Sequence, residues 1–97
     1  MAAKNTIIMI QALSDDRRLR MFEKLADCDR SDRKLAEMLG MDVEDVREQA
    51  DILEKSGLVI SCENNDSFDY SLDPQQVAIL TGFFDLMLNK CTPPKCC

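Results

Sequence analysis

The chain has 97 residues, 45% of them hydrophobic and 31% charged, with a net charge of −6 and no histidine. A single domain of this length buries only about two thirds of its unfolded surface, so a small core reinforced by a partner chain is expected. The missing histidine removes imidazole ligands, histidine general bases and histidine-containing triads, and the longest apolar run, "VAILTGFFDLML", is 12 residues with Asp85 inside it, too short to cross a bilayer.

The opening "MAAKNTIIMIQALSDD" reaches charge too soon for a secretory signal, and its apolar piece predicts a short helix from Thr6 to Leu13. In "SDDRRLRMFEKLAD", Ser14 or Asp15 can cap a second helix over about Asp15 to Ala26, with Leu19, Phe22, Leu25 and Ala26 on one face. Ser31 then caps a short helix, "DRKLAEML", that stops at Gly40 and turns Leu35, Met38 and Leu39 inward. Only "GMD" separates it from a longer helix, Asp42 to Ser56, whose Val46, Ala50 and Leu53 recur at helical spacing ahead of Gly57 and Leu58. Two helices meeting across a tight glycine turn make a helix-turn-helix.

Beyond Gly57, "LVISC" and "FDYSL" alternate apolar and polar residues around the turn-forming "ENNDS", which predicts a two-stranded hairpin with Cys62 as a small buried hydrophobe. Asp73 and Pro74 start a last helix, "QQVAILTGFFDLMLNK", that is apolar on more sides than one small core covers. Pro93 and Pro94 prevent its continuation, which divides the chain into a domain at 1–90 and a cysteine-rich tail at 91–97. The expected fold is mainly α, with about five helices and a hairpin. Ile7, Ile8 and Ile10 at one end, and Leu80, Phe83, Phe84 and Met87 at the other, predict a homodimer through the terminal helices.

The charge is unevenly spread. Between Asp42 and Asp66 eight acids face two bases, Arg47 and Lys55, while the remaining residues carry ten of each. No nucleophile, phosphate loop or hydride-cofactor motif accompanies these carboxylates, so an enzyme is not expected.

In their order and spacing, "ALSDDRRLRMFEKL", "KLAEMLGM", "ILEKSGLV" and "FDYSLD" resemble the ArsR-type winged-helix repressors, dimeric regulators that leave DNA on binding a metal ion or metalloid. The resemblance runs from Leu13 to about Leu88. It implies a cytoplasmic winged helix-turn-helix transcriptional regulator that binds a double-stranded operator and no membrane. By the same resemblance the helix after Gly40 lies in a major groove, with Asp42, Val43, Glu44, Asp45, Arg47, Glu48 and Gln49 facing DNA. Arg47, Gln49, Asn64 and Asn65 would then make contacts, while Arg33 and Lys34, with Arg17, Arg18, Arg20 and Arg30, hold the backbone.

The chain departs from the family in that face. Family members usually present serine, glutamine, threonine, arginine or histidine where this chain has four carboxylates, and "SCENNDSFD" lacks the arginines often found in the wing. Carboxylates repel phosphates and accept from few base edges, so the alternative is a winged-helix module that uses its acidic helix to bind a basic protein.

Family sensors also carry a Cys-x-Cys pair ahead of the third helix, or Asp and His on the last one; here Ser31 and Arg33 stand at the first positions, and Asp73 with Gln75 has no histidine companion. What remains is Cys91, Cys96 and Cys97 in "CTPPKCC", soft ligands whose number suits the trigonal pyramid of arsenite or antimonite. Cys28 can join them if a partner's tail reaches it. An odd cysteine count without a secretory signal favours reduced thiols, for which redox sensing and an idle exposed terminus are the other readings.

Overall fold

In a computed structural model, which describes residues 2–90 and the side chains of residues 5–87, carboxylate and hydroxyl oxygens start three of the helices. Asp15 accepts from the Arg17 amide (2.9 Å) ahead of Asp16–Asp27, Ser31 from the Lys34 amide (3.1 Å) ahead of Asp32–Leu39, and Asp73 from the Gln75 amide (3.0 Å) ahead of Pro74–Lys90. Each satisfies a donor that a helix N-terminus leaves unpaired. With Ala2–Ala12 first and Val43–Lys55 fourth, these five helices are α1 to α5 in chain order.

Gly40 ends α3 at φ 66°, and that left-handed turn lets its own amide and the amide of Met41 reach the carbonyl of Ala36. A side chain at Gly40 would meet no atom within 4 Å, so the backbone conformation, not crowding, demands glycine there. The chain therefore re-enters a helix within three residues, as the spacing predicts.

The sheet has one strand more than expected. Strands β2 (Val59–Asn64) and β3 (Ser67–Leu72) form the hairpin, in register from Val59 opposite Leu72 to Asn64 opposite Ser67. Strand β1 (Arg30–Ser31) adds to the free edge of β3, with Arg30 opposite Tyr70 and Ser31 opposite Asp69, to give the order β1-β3-β2. Two residues cannot show an alternating pattern, so this strand has no signature in the sequence.

All of the helices feed one core. Met9, Met21, Leu35, Val46, Leu53 and Leu58 are fully enclosed, and Leu25, Tyr70 and Leu80 are nearly so. The inward stripe of α2 is Met21 and Leu25, with Phe22 half-buried, whereas Leu19 is 43% exposed and Ala26 is exposed, contrary to expectation. Arg18, one turn before Met21, takes the place on that stripe that a purely apolar reading gives to Leu19. Cys62 is also corrected: it is exposed, on the same outer face of β2 as Ile60, because the helices cover the sheet on one side only. Leu80, expected at a dimer interface, is instead buried within the chain's own core.

The two readings of α2 differ measurably. Met21→Ala should destabilise the fold by about 2 to 5 kcal/mol through the cavity it leaves, while Leu19→Ala should cost less than about 1 kcal/mol. Denaturant unfolding of both variants checks this; equal losses would mean that α2 sits in the orientation its apolar pattern suggests.

Candidate nucleic-acid interface

The geometry of the helix-turn-helix and the hairpin depends on a carboxylate buried at the start of α3. Asp32 is 0% exposed; its Oδ1 accepts from the Arg33 amide at 2.7 Å, and its Oδ2 accepts from Nε of Arg47 at 2.8 Å. From the same guanidinium, Nη2 donates to the backbone carbonyl of Asp66 in the hairpin turn at 2.9 Å, and the group lies 5.3 Å from the centre of the Phe68 ring. One side chain of α4 thus ties α3, α4 and the wing together. Arginine suits this because its planar fork serves two acceptors and stacks on an aromatic face at once.

Gln49 is held from the opposite flank. It is buried, its Oε1 accepts from Nη1 of Arg18 at 2.7 Å, and Nε of Arg18 donates to the carbonyl of Ala12 at 2.6 Å. The expected base-contact role of Arg47 and Gln49 is therefore corrected: both side chains are engaged inside the molecule. For Gln49 the signal was present, since Val46, Gln49, Ala50 and Leu53 follow the i, i+3, i+4, i+7 pattern of one buried stripe. For Arg47 there was none, because its partners lie 15 and 19 residues away.

The outward face of α4 carries Glu44, Glu48 and Asp51, with Asp42 exposed just before it and Val43 and Asp45 half-buried. The expected backbone-holding cations are mostly occupied. Arg17 lies 3.5 Å from Asp15, Arg20 3.1 Å from Asp16, Arg30 4.0 Å from Asp27 and Lys34 3.3 Å from Glu37. Arg33 differs: it is exposed, and its side chain makes no hydrogen bond or ion pair with another described residue. Asn64 and Asn65 are exposed at the wing turn, where Asn65 adopts φ 59°, a left-handed conformation that asparagine tolerates better than most residues. Arg33 and this turn border a common cleft of about 320 Å³.

At the far end of the molecule, Ile7 and Ile10 of α1 face Ile79, Phe83 and Leu86 of α5 across an apolar cleft of about 510 Å³. Ile8, Phe84 and Met87, expected with them at a dimer interface, are exposed. The free thiols of Cys28 and Cys62 are exposed, and among the described residues no group of three or more Cys, Asp or Glu is placed to hold a metal ion. Cys91, Cys96 and Cys97 lie outside the described residues. Among the described residues no helix is long and apolar enough to cross a membrane.

The Asp32–Arg47 pair predicts an asymmetry. Arg47→Ala strands a wholly buried carboxylate and should cost about 3 to 5 kcal/mol; Asp32→Ala leaves a guanidinium that is 37% exposed and can rehydrate, so its loss should be clearly smaller. Denaturant midpoints of the two variants decide this, and an equal loss would contradict it. Nearby, burial first and the negative charge of Asp32 second push the Tyr70 phenol up to about 12. Its unfolded value is near 10, so the folded state holds the proton more tightly. That contribution is complete below pH 10 and falls as pH rises toward 12, and because Tyr70 is the chain's one tyrosine, tyrosinate absorbance follows it directly.

The sequence matches no family model and no curated protein sequence. Solved structures do match. A possible transcriptional regulator for arsenical resistance superposes with a TM-score of 0.72 at 23% identity, over 81% of this chain and 82% of that one. HlyU from Vibrio cholerae gives 0.71 at 20% identity, over 87% and 92%. The homodimeric winged helix-turn-helix DNA-binding domain of a possible ArsR-family regulator from Mycobacterium bovis gives 0.72 at 22% identity, over 91% and 82%. Likeness at this level of identity establishes the architecture: the chain is a winged helix-turn-helix domain with the fold of the ArsR and HlyU regulators.

Proposed function

We propose that the chain is a DNA-binding transcriptional repressor that acts as a homodimer, with thiols in its C-terminal tail as the effector site. The observation that carries the first part is the pairing of α3 and α4 across the Gly40 turn with a wing whose tip is tied to α4 through Arg47. A helix-turn-helix and wing held as one body can dock on a duplex without the cost of ordering either part. The dimer is supported by the one-sided burial of α1 and α5, which leaves Ile7, Phe84, Leu86 and Met87 between 43% and 56% exposed, and by the homodimeric state of the Mycobacterium bovis domain. The effector arm rests on residue type: Cys91, Cys96 and Cys97 supply three soft thiolates, the number a trivalent metalloid takes.

A second reading, a protein-interaction module that uses α4 on a basic partner, has its own support. The polar groups best suited to read bases, Arg47 and Gln49, point inward, and Glu44, Glu48 and Asp51 remain outside.

Titration of a labelled fragment from upstream of the chain's own gene, at two salt concentrations, separates the readings. A DNA binder should lose affinity steeply with salt, and replacing Glu44 and Asp45 with glutamine and serine should raise non-specific affinity by removing repulsion. No retardation of any such fragment at low salt, by wild type or by that variant, rejects the DNA reading. Charged replacements of Phe84 and Met87 together should give monomer or insoluble protein, and a wild-type chain that sediments as a monomer at micromolar concentration rejects the dimer. Stoichiometric arsenite should release the DNA, and serine at Cys96 and Cys97 should abolish that release; unchanged affinity with arsenite present removes metalloid sensing.

A further inference from the structure

The cleft between α3 and the wing turn collects hydrogen-bond donors that the rest of the chain does not use. Its lining is Arg33 from α3 and Asn64, Asn65, Asp66 and Ser67 from the turn. The guanidinium of Arg33 and the two carboxamides have no partner among the described residues, whereas the neighbouring Lys34 is engaged by Glu37. The backbone amides at the start of α3 are not available, since Asp32 caps that of Arg33 and Ser31 that of Lys34. Any ligand must therefore be met by side chains.

Two features make this a formed cleft rather than a loose turn. Arg47 holds the carbonyl of Asp66 at 2.9 Å, and the Ser67 hydroxyl donates to the carbonyl of Asn64 at 3.0 Å. One wall is a helix and the other a tied turn. What such a place can take is a group that only accepts hydrogen bonds and carries negative charge, because a guanidinium fork matches the two oxygens of a phosphate and carboxamide N–H groups extend the same contact.

We propose that Arg33, Asn64 and Asn65 form an oxyanion seat that takes one phosphodiester of a duplex backbone, clamping it between α3 and the wing. This rests on the reading of the chain as a DNA binder and specifies where its backbone contact lies: beside the acidic face of α4, not on it. The Asp66 carboxylate at the rim opposes the anion and moderates the seat.

Two probes test it on the intact chain. The first is inorganic phosphate, followed by NMR on the Arg33 side-chain Nε–H and the Asn64 and Asn65 amides. These signals should shift together and saturably, Arg33→Ala should remove the amide shifts, and Asp66→Asn should tighten binding about three- to fivefold at low salt. The second is a mixed-sequence duplex, for which Arg33→Ala should lower the slope of log affinity against log salt by about one while leaving the unfolding midpoint unchanged. Shifts with phosphate but no duplex binding by wild type would keep the oxyanion seat and reject the DNA reading. Duplex binding whose salt slope is the same in wild type and Arg33→Ala would keep the DNA reading and overturn the seat. Phosphate that moves none of the three signals overturns the seat as well.

Discussion

A carboxylate with no exposure to water must be matched inside the protein, and the match for Asp32 sets the geometry of this domain. Its partner Arg47 comes from the next helix and continues to the wing turn, so the crossing of α3 and α4 and the position of the wing are fixed by one guanidinium. A pair of this kind adds little net stability over an apolar replacement, because desolvation offsets most of the attraction. What it contributes is a single arrangement: a shift of α4 or of the turn would strand a buried charge.

The same constraint explains how α4 has the place of a recognition helix with an acidic surface. Arg47 and Gln49 are drawn to opposite flanks, one by Asp32 and the other by Arg18, and what is left to face outward is carboxylate. A helix with this surface discourages phosphate along its own length. Attraction, where the domain has it, must come from its margins, and the free guanidinium of Arg33 lies at such a margin.

At the opposite end, α1 and α5 show what a chain of 97 residues cannot bury alone. Thr6, Met9, Ala12 and Leu80 turn inward and complete the core, and that leaves three isoleucines of α1 and both phenylalanines of α5 at the surface. An apolar band of this kind on a small domain marks a contact surface, and its distance from the Arg47 network lets assembly and recognition occupy separate ends of the molecule.

Helix starts and stops were legible because they are local. Ser31, Gly40, Asp73 and Pro74 each act on residues within one turn, so Asp32–Leu39 and the start of α5 are readable without any tertiary knowledge. The hairpin was legible for the same reason, through alternation and a turn. The third strand, the inward place of Met21 over Leu19, the exposure of Cys62 and the internal use of Arg47 and Gln49 were decided by tertiary structure. Each depends on what lies opposite in space: β1 exists because the edge of β3 is open beside it, and Arg47 turns inward because a carboxylate 15 residues earlier has no water to face. Periodicity identifies the side of a helix that avoids water, but only the packed neighbours determine where a polar side chain finds its partner.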